Sequence, residues 1–384
     1  MLFWLLRIWP RLLTRNCSNK QLEFLGISQV RYKVSWEDNV KKVKLRVGII
    51  PLMLVVLLVV IVAGTAVGAV YVPFFDTFRI ILKNIGLLPN ASFAQGQEPI
   101  IFLVRFPRVA VAALAGTALG ASGAVMQGMF RNPMADPGIL GISSGAGLGA
   151  VLAIKLGAVA AGMFVMPVFA FAGALLAITV IYILSYRKGK VPVLTLILSG
   201  IAISTFLGAI TNIVLTLSYD YQVKEFLFWS TGGLEGRRWE HFKLIVIPVL
   251  VSVILMLLFS RDLNVLLMGE EEAKSVGLNT GRLRTILLIL VSTATASAVC
   301  VTGAISFVGL IVPHIIRLLV GPDHRLLLPA SAVGGAIFLV VCDLISRVVA
   351  IPYELGVGII TALLGAPYFL YLLLKSKKEG GALL

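Results

Sequence analysis

Ten runs of mostly apolar residues, separated by short polar segments, set out the plan of this chain. They lie at 47–71, from Arg108 to 130, and at 139–154, 162–186, 193–217, 242–259, 283–301, 303–319, 327–349 and 355–374. A helix needs about 20 apolar residues to cross a bilayer, whereas a barrel strand alternates apolar and polar over about 10. These runs are continuous and long, so the pattern predicts an all-α polytopic membrane protein with ten transmembrane helices. The linkers carry turn chemistry. Pro73, Pro89, Asn90 and Pro99 punctuate an external loop at 72–99, and Arg131-Asn-Pro-Met-Ala-Asp-Pro-Gly138 is a tight breaker. Pro313 is expected to break the eighth run, and Gly321-Pro-Asp-His-Arg325 to turn the chain. Tyr219, Tyr221, Trp229 and Trp239, in a longer external segment at 218–241, read as an interfacial aromatic belt.

One polar island stands apart. Residues 261–284, RDLNVLLMGEEEAKSVGLNTGRLR, hold four basic and four acidic side chains between two spans. Glu270 to Val276 are mostly good helix formers, and Gly277 supplies a left-handed stop. Val265, Leu266, Met268, Ala273, Val276 and Leu278 can form the apolar face of a short helix lying across the membrane surface. An ordinary charged loop and a docking helix for a soluble partner are the two readings of this pattern.

Charge orients the chain. Of 384 residues, 59% are apolar and 13% charged, with a net charge of +15. Twenty-three Lys and Arg fall on the side of the termini and ten on the other, which by the positive-inside rule places both termini in the cytoplasm. That rule accounts for the basic balance, so no nucleic-acid partner is implied. The tail 1–46 carries ten basic residues and three acids, and an interfacial helix there would contain Trp4 and Trp9. The membrane-spanning body is 47–378, with a short C-terminal tail at 379–384. Cys17, Cys300 and Cys342 are too scattered for a disulfide framework or a metal site.

The spans hold almost no charge away from their ends. Asp343 is the deepest acid, and Arg347, four residues on, can pair with it on one helix face. No proton relay is visible, which argues against an ion-driven carrier. Small residues are plentiful instead: Gly116-Thr-Ala-Leu-Gly120, Gly145-Ala-Gly-Leu-Gly149, Gly334-Gly335, Gly356, Gly358 and Gly365. Close helix packing explains most of them, and a wide, uncharged pathway would use the same residues. There is no Gly-x-x-x-x-Gly-Lys-Ser/Thr loop, His-Glu-x-x-His or nucleophile elbow. Energy for active transport would therefore come from another polypeptide.

Several motifs in order resemble the FecCD family, the permease subunits of ATP-binding-cassette importers for iron-siderophores, haem and cobalamin. They are Arg105-Phe-Pro-Arg108, Gly123-Ala-Val-Met-Gln127, Asn132-Pro-Met-Ala-Asp-Pro-Gly138, Leu267-Met-Gly-Glu270, Ala273 with Gly277, Gly303-Ala-Ile-Ser-Phe-Val-Gly-Leu-Ile-Val-Pro-His314, Asp323-His-Arg325 and Leu364-Gly-Ala-Pro367. The resemblance implies the type II importer permease fold in a bacterial cytoplasmic membrane. It also implies a second permease copy or paralogue, two ATPase subunits that use ATP, and an extracytoplasmic substrate-binding protein. No cofactor or metal is bound by the permease itself, and an iron chelate is the expected cargo, with haem or cobalamin as the alternatives. Glu271-Glu272-Ala273-x-x-x-Gly277 looks like the coupling signature of importer permeases, with Glu272 in place of its first Ala. By resemblance, Leu267, Met268, Gly269, Glu270, Glu271, Glu272, Ala273, Gly277 and Leu278 dock on the ATPase. Arg105, Arg108 and Arg347 match arginines that meet glutamates of the binding protein. From other classes, a secondary carrier or channel and a membrane scaffold are the alternatives.

Overall fold

The computed structural model describes residues 36–378 apart from 69, 90–92, 95, 187–190 and 352. The basic tail with Trp4, Trp9 and Cys17, the basic loop Arg187, Lys188 and Lys190, and the tail 379–384 lie outside the described residues. The chain divides into Met1–Leu45 and Arg46–Leu384, and the fold below is that of the second unit.

Among the described residues the fold is helical. In chain order the helices are α1 (Trp36–Ala66), α2 (Phe74–Asn84), α3 (Gln97–Phe130), α4 (Ile142–Lys155), α5 (Val165–Ser185), α6 (Val193–Thr216) and α7 (Asp220–Ser230). They continue as α8 (Trp239–Leu258), α9 (Ser260–Met268), α10 (Glu270–Ser275), α11 (Thr280–Thr302), α12 (Val308–Val320), α13 (His324–Val348) and α14 (Val357–Lys378). Seven described helices are long and apolar enough to cross a membrane: α1 over Gly48–Ala66, α3, α5, α6, α8, α11 and α13. Three shorter apolar stretches, α4, α12 and Val357–Leu372 of α14, fall on the remaining apolar runs.

The centre is built from α3, α11 and α13. The apolar windows of α3 and α11 are buried over 83% and 78% of their residues, against 17% for α6, which therefore lies on the outside. Helices α3 and α13 run antiparallel with their backbones touching. A Cβ on Gly116 would overlap the carbonyl of Gly335, and one on Gly120 the carbonyl of Ser331. Gly123 meets Gly309 of α12 in the same way, and Gly145 and Gly149 of α4 meet Gly173 and Phe169 of α5. Dense packing thus explains these small residues, because lipid offers no hydrophobic drive for helix association and close van der Waals contact supplies it instead.

Four expectations are corrected. The external loop 72–99 contains α2, whose Ile80 and Ile81 pack with Val62, Val72 and Ile101. The second span does not start after Arg108. It begins at Gln97, with a π-helical stretch Ile100–Arg105, so both arginines lie within the helix. Half of the supposed aromatic belt points inward. Trp229 is buried, and Trp239 donates to the Phe102 carbonyl at 2.8 Å, whereas Tyr219 and Tyr221 are exposed. Finally, the chain breaks at Gly303–Phe307, where Phe307 has φ 69°, and α12 runs through Pro313. A proline leaves the carbonyl four residues back without its helical donor. Here Gln127 Nε2 of α3 approaches that carbonyl, Gly309 O, at 3.4 Å and Leu310 O at 3.0 Å.

Gly116→Val should break the α3–α13 seam. Overpacking costs about 1–3 kcal/mol where side chains can shift, and backbone carbonyls shift less readily. A drop in melting temperature in detergent is expected for this variant but not for Gly208→Val, where no neighbour lies within 4 Å.

Candidate functional site

Charge is concentrated at the two ends of the bundle. At one end, α3 enters the core with Arg105 and Arg108 three residues apart, and α13 ends with Asp343 and Arg347. Asp343 is fully buried. Its Oδ1 accepts from Arg108 Nε at 2.8 Å, and its Oδ2 lies 3.0 Å from Arg347 NH2. Arg108 NH1 also donates to Glu354 at 2.7 Å, in the segment after α13. Arg347 donates to the carbonyls of Gly64 and Val67 at 2.7 and 2.8 Å, and Arg105 to those of Ala66 and Val70 at 2.6 and 2.5 Å. The two arginines therefore close the C-terminal end of α1, whose last carbonyls have no intrahelical donor.

The expected Asp343–Arg347 pair on one helix face forms, and the structure adds Arg108 from across the bundle. The sequence pattern placed Arg108 as a flanking residue, and its long-range partner carries no local signal. All three arginines expected at a docking surface are brought together, and all three are buried. Their guanidinium groups are engaged within the chain, and Glu354, with a side chain 36% exposed, is the group of this cluster most open to the surface. A guanidinium shared between two carboxylates is strongly oriented.

At the other end lies the polar island. The single surface helix expected there is two helices, α9 and α10, parted by Gly269. Gly269 has φ 144°, a backbone conformation that a side chain would strain, and the Glu272 carboxylate folds over it. The stop at Gly277 forms as expected. Gly277 has φ 86°, its N–H donates to Lys274 O at 2.9 Å, and Leu278 N–H donates to Ala273 O at 3.0 Å. These two bonds make a Schellman motif. Glu270 joins Lys274 at 3.0 Å and Arg284 at the start of α11 at 3.1 Å. The Lys274 hydrogen bond, helped by Arg284, holds the Glu270 carboxyl below its ordinary range.

The apolar residues of the island are divided by this geometry. Leu263, Leu266 and Ala273 are buried against the chain, Val265 and Leu278 are half-buried, and Leu267, Met268 and Val276 are exposed beside Glu271 and Glu272. Ala273 is fully buried, so it seats α10 on its own chain and is not at the open surface.

Between the ends, α14 and the Gly303–Phe307 break border an open cleft of about 570 Å³. Ser230, Thr231, Ala304 and Ser306 line it together with Ile359 and Leu363 of α14, so its walls are uncharged and mixed in size. The glycines that sequence reading left between packing and pathway divide here. Gly358 lines the cleft, and Gly334 and Gly335 face their neighbouring helices.

A bundle of long apolar helices with a buried ionic cluster at one end and a capped helix pair at the other has the build of a multi-pass membrane protein. The chain belongs to the FecCD transport family, whose model matches residues 55–375. It is 48% identical over 276 residues to the cobalamin import system permease protein BtuC of Halobacterium salinarum, covering 72% of this chain and 73% of that one. It is 40% identical over 331 residues to the hemin transport system permease protein HmuU of Yersinia pestis, covering 85% and 95%. A solved structure of a metal-chelate type ABC transporter in an inward-facing conformation superposes with a TM-score of 0.76 at 29% identity, over 85% of this chain and 99% of the other. The chain is an ABC importer permease and a multi-pass protein of the cytoplasmic membrane.

Asp343→Ala should leave Arg108 and Arg347 buried without their shared carboxylate. Breaking a buried ion pair on one side costs about 3–5 kcal/mol. Thermal unfolding in detergent should register that loss, and hydrogen exchange at Gly64–Val67 should rise, because Arg347 would no longer be held over those carbonyls. Unchanged exchange there would count against the cluster as the closure of α1.

Proposed function

We propose that this chain is the permease half of an ATP-driven importer that carries an iron-siderophore complex by alternating access. In this reading it crosses the membrane ten times with both termini in the cytoplasm, pairs with a second permease, and binds two ATPase subunits and an external binding protein. One observation carries it. The island presents Leu267, Met268 and Val276 to the surface beside two free acids, on a helix pair rigidly capped at Gly277 and tied to α11 through Arg284. Exposed apolar groups on so rigid a mount suit a soluble partner that must push on the bundle. ATP is hydrolysed by that partner. The exposed face of α6 is available to the second permease, and the uncharged cleft beside α14 suits a bulky cargo that must not be held by ion pairs. Cobalamin is the second reading, favoured by the 48% identity to a cobalamin permease.

The assay is uptake into proteoliposomes holding the permease, its ATPase and its binding protein, with ferric siderophore and cyanocobalamin offered separately. Uptake driven by an ion gradient without the ATPase would refute the ATP-driven reading. Met268→Asp together with Val276→Asp should abolish co-purification of the ATPase and leave the permease folded, since both side chains are exposed. A charge at Ala273 is the weaker test because it would also unseat α10.

Docking of the binding protein on Arg105, Arg108 and Arg347 belongs to the same proposal. Their buried geometry gives it a particular form, in which an incoming carboxylate competes with Glu354 for Arg108. Glu354→Gln, which weakens the internal competitor, should then tighten binding-protein association by roughly tenfold, the scale of one charge-assisted hydrogen bond. Surface plasmon resonance on the reconstituted permease reads this directly, and weaker association would tell against arginine capture.

A further inference from the structure

The amide of Asn264 lies in α9, just before the exposed surface of the island, and reaches the start of α13. Its Nδ2 donates to Asp323 Oδ1 at 2.6 Å. Its Oδ1 accepts from the backbone N–H of His324 at 2.8 Å and lies 3.1 Å from His324 Nδ1. Asp323 Oδ1 also accepts from Arg325 N–H at 3.0 Å, so the residue that caps α13 is the one Asn264 holds. The His324 ring is 1% exposed and lies against α3, since a Cβ on Gly128 would collide with its Nε2. With Oδ1 of the amide facing Nδ1, the neutral ring that fits carries its proton on Nδ1.

From this grip α13 runs 25 residues, about 37 Å at 1.5 Å per residue, to Asp343 and Arg347 in the ionic cluster. Glu270–Arg284 ties α10 to α11, the next helix in the chain. The Asn264 contacts add a polar link from the island to α13, a helix that does not adjoin it in sequence.

We propose that Asn264 is a positioning residue for transport: it passes movement of the island to α13, and through α13 to the ionic cluster at the far end. The proposal rests on the reading of 261–284 as the ATPase-facing segment. Coupling between distant sites runs through contiguous packed elements, and α13 is one continuous helix with polar contacts near both ends.

The test uses the whole importer in proteoliposomes, reading ATP hydrolysis together with uptake of whichever of ferric siderophore, haemin or cyanocobalamin the wild type carries. Asn264→Asp keeps the acceptor for His324 but sets a second carboxylate against Asp323. It should leave ATPase subunits bound and hydrolysing, and lower uptake per ATP by about tenfold, the scale of one lost hydrogen bond to a charged group. Adding Asp323→Asn exchanges donor and acceptor across the same contact and should restore uptake per ATP to within about twofold, as expected of a coupled pair. Where the single carboxylate variant does not fold, Asn264→Ala is read instead, since it deletes the bonds without adding charge. Uptake per ATP equal to wild type in the folded single variant overturns the proposal, as does a lowered value that the exchanged pair fails to restore. A wild-type permease that binds no ATPase would refute the reading of the island itself, which is a different failure.

Discussion

The contact on which this bundle depends is the backbone seam between α3 and α13. Gly116, Gly120 and Gly335 bring the two helices together until carbonyl oxygens sit where side chains would be. At that distance the helices cannot rotate or slide independently, and the seam sets the register of both ends. It places Arg108 opposite Asp343 at one end and Gly128 opposite His324 at the other. A looser seam would separate the guanidinium from the carboxylate and strand both in a medium where unpaired charge is costly. Small residues in the middle and ion pairs at the ends are thus one device.

Much of this could be read from the chain in advance, and the failures have physical causes. The apolar runs located α5, α6, α8, α11 and α13 to within a few residues, because a long apolar stretch has few alternatives to a helix. The Gly277 stop and the Asp343–Arg347 pair are local in sequence, and both formed. The amphipathic helix α2 was missed because prolines and polar residues on either side outweighed its short apolar face. The extension of α3 back to Gln97 was missed because a motif with two arginines reads as a boundary. Those arginines stay inside only because Asp343, Glu354 and the open carbonyls of α1 receive them, and partners more than 200 residues away along the chain leave no local trace. Pro313 misled for the same reason, since its compensating donor, Gln127, belongs to another helix.

At the island, periodicity could name the apolar residues but not divide them. Met268 and Ala273 are both plausible on an apolar face, yet one is 73% exposed and the other fully buried. The difference arises at Gly269, whose φ of 144° turns the chain between α9 and α10 and resets which face looks inward. Periodicity can place a surface segment; only the turn decides which of its side chains stay exposed.

The distribution of charge bears on how such a permease can work. The ionic groups described above lie at the ends, and the cleft beside α14 is lined by uncharged residues, from glycine, alanine, serine and threonine to Ile359, Leu363 and Pro367. Uncharged walls give a cargo no ionic partner, so no charge in the passage itself favours one direction. Direction must then be imposed from the ends, by whatever changes the packing of the helices that border the cleft. Those helices are held by the α3–α13 seam, which is stiff along its length and fastened by polar contacts at both extremities. A stiff, end-fastened seam is poorly suited to bending and well suited to moving as a unit. The same close packing that makes the bundle intolerant of larger residues therefore makes it competent to carry a displacement from one face of the membrane to the other.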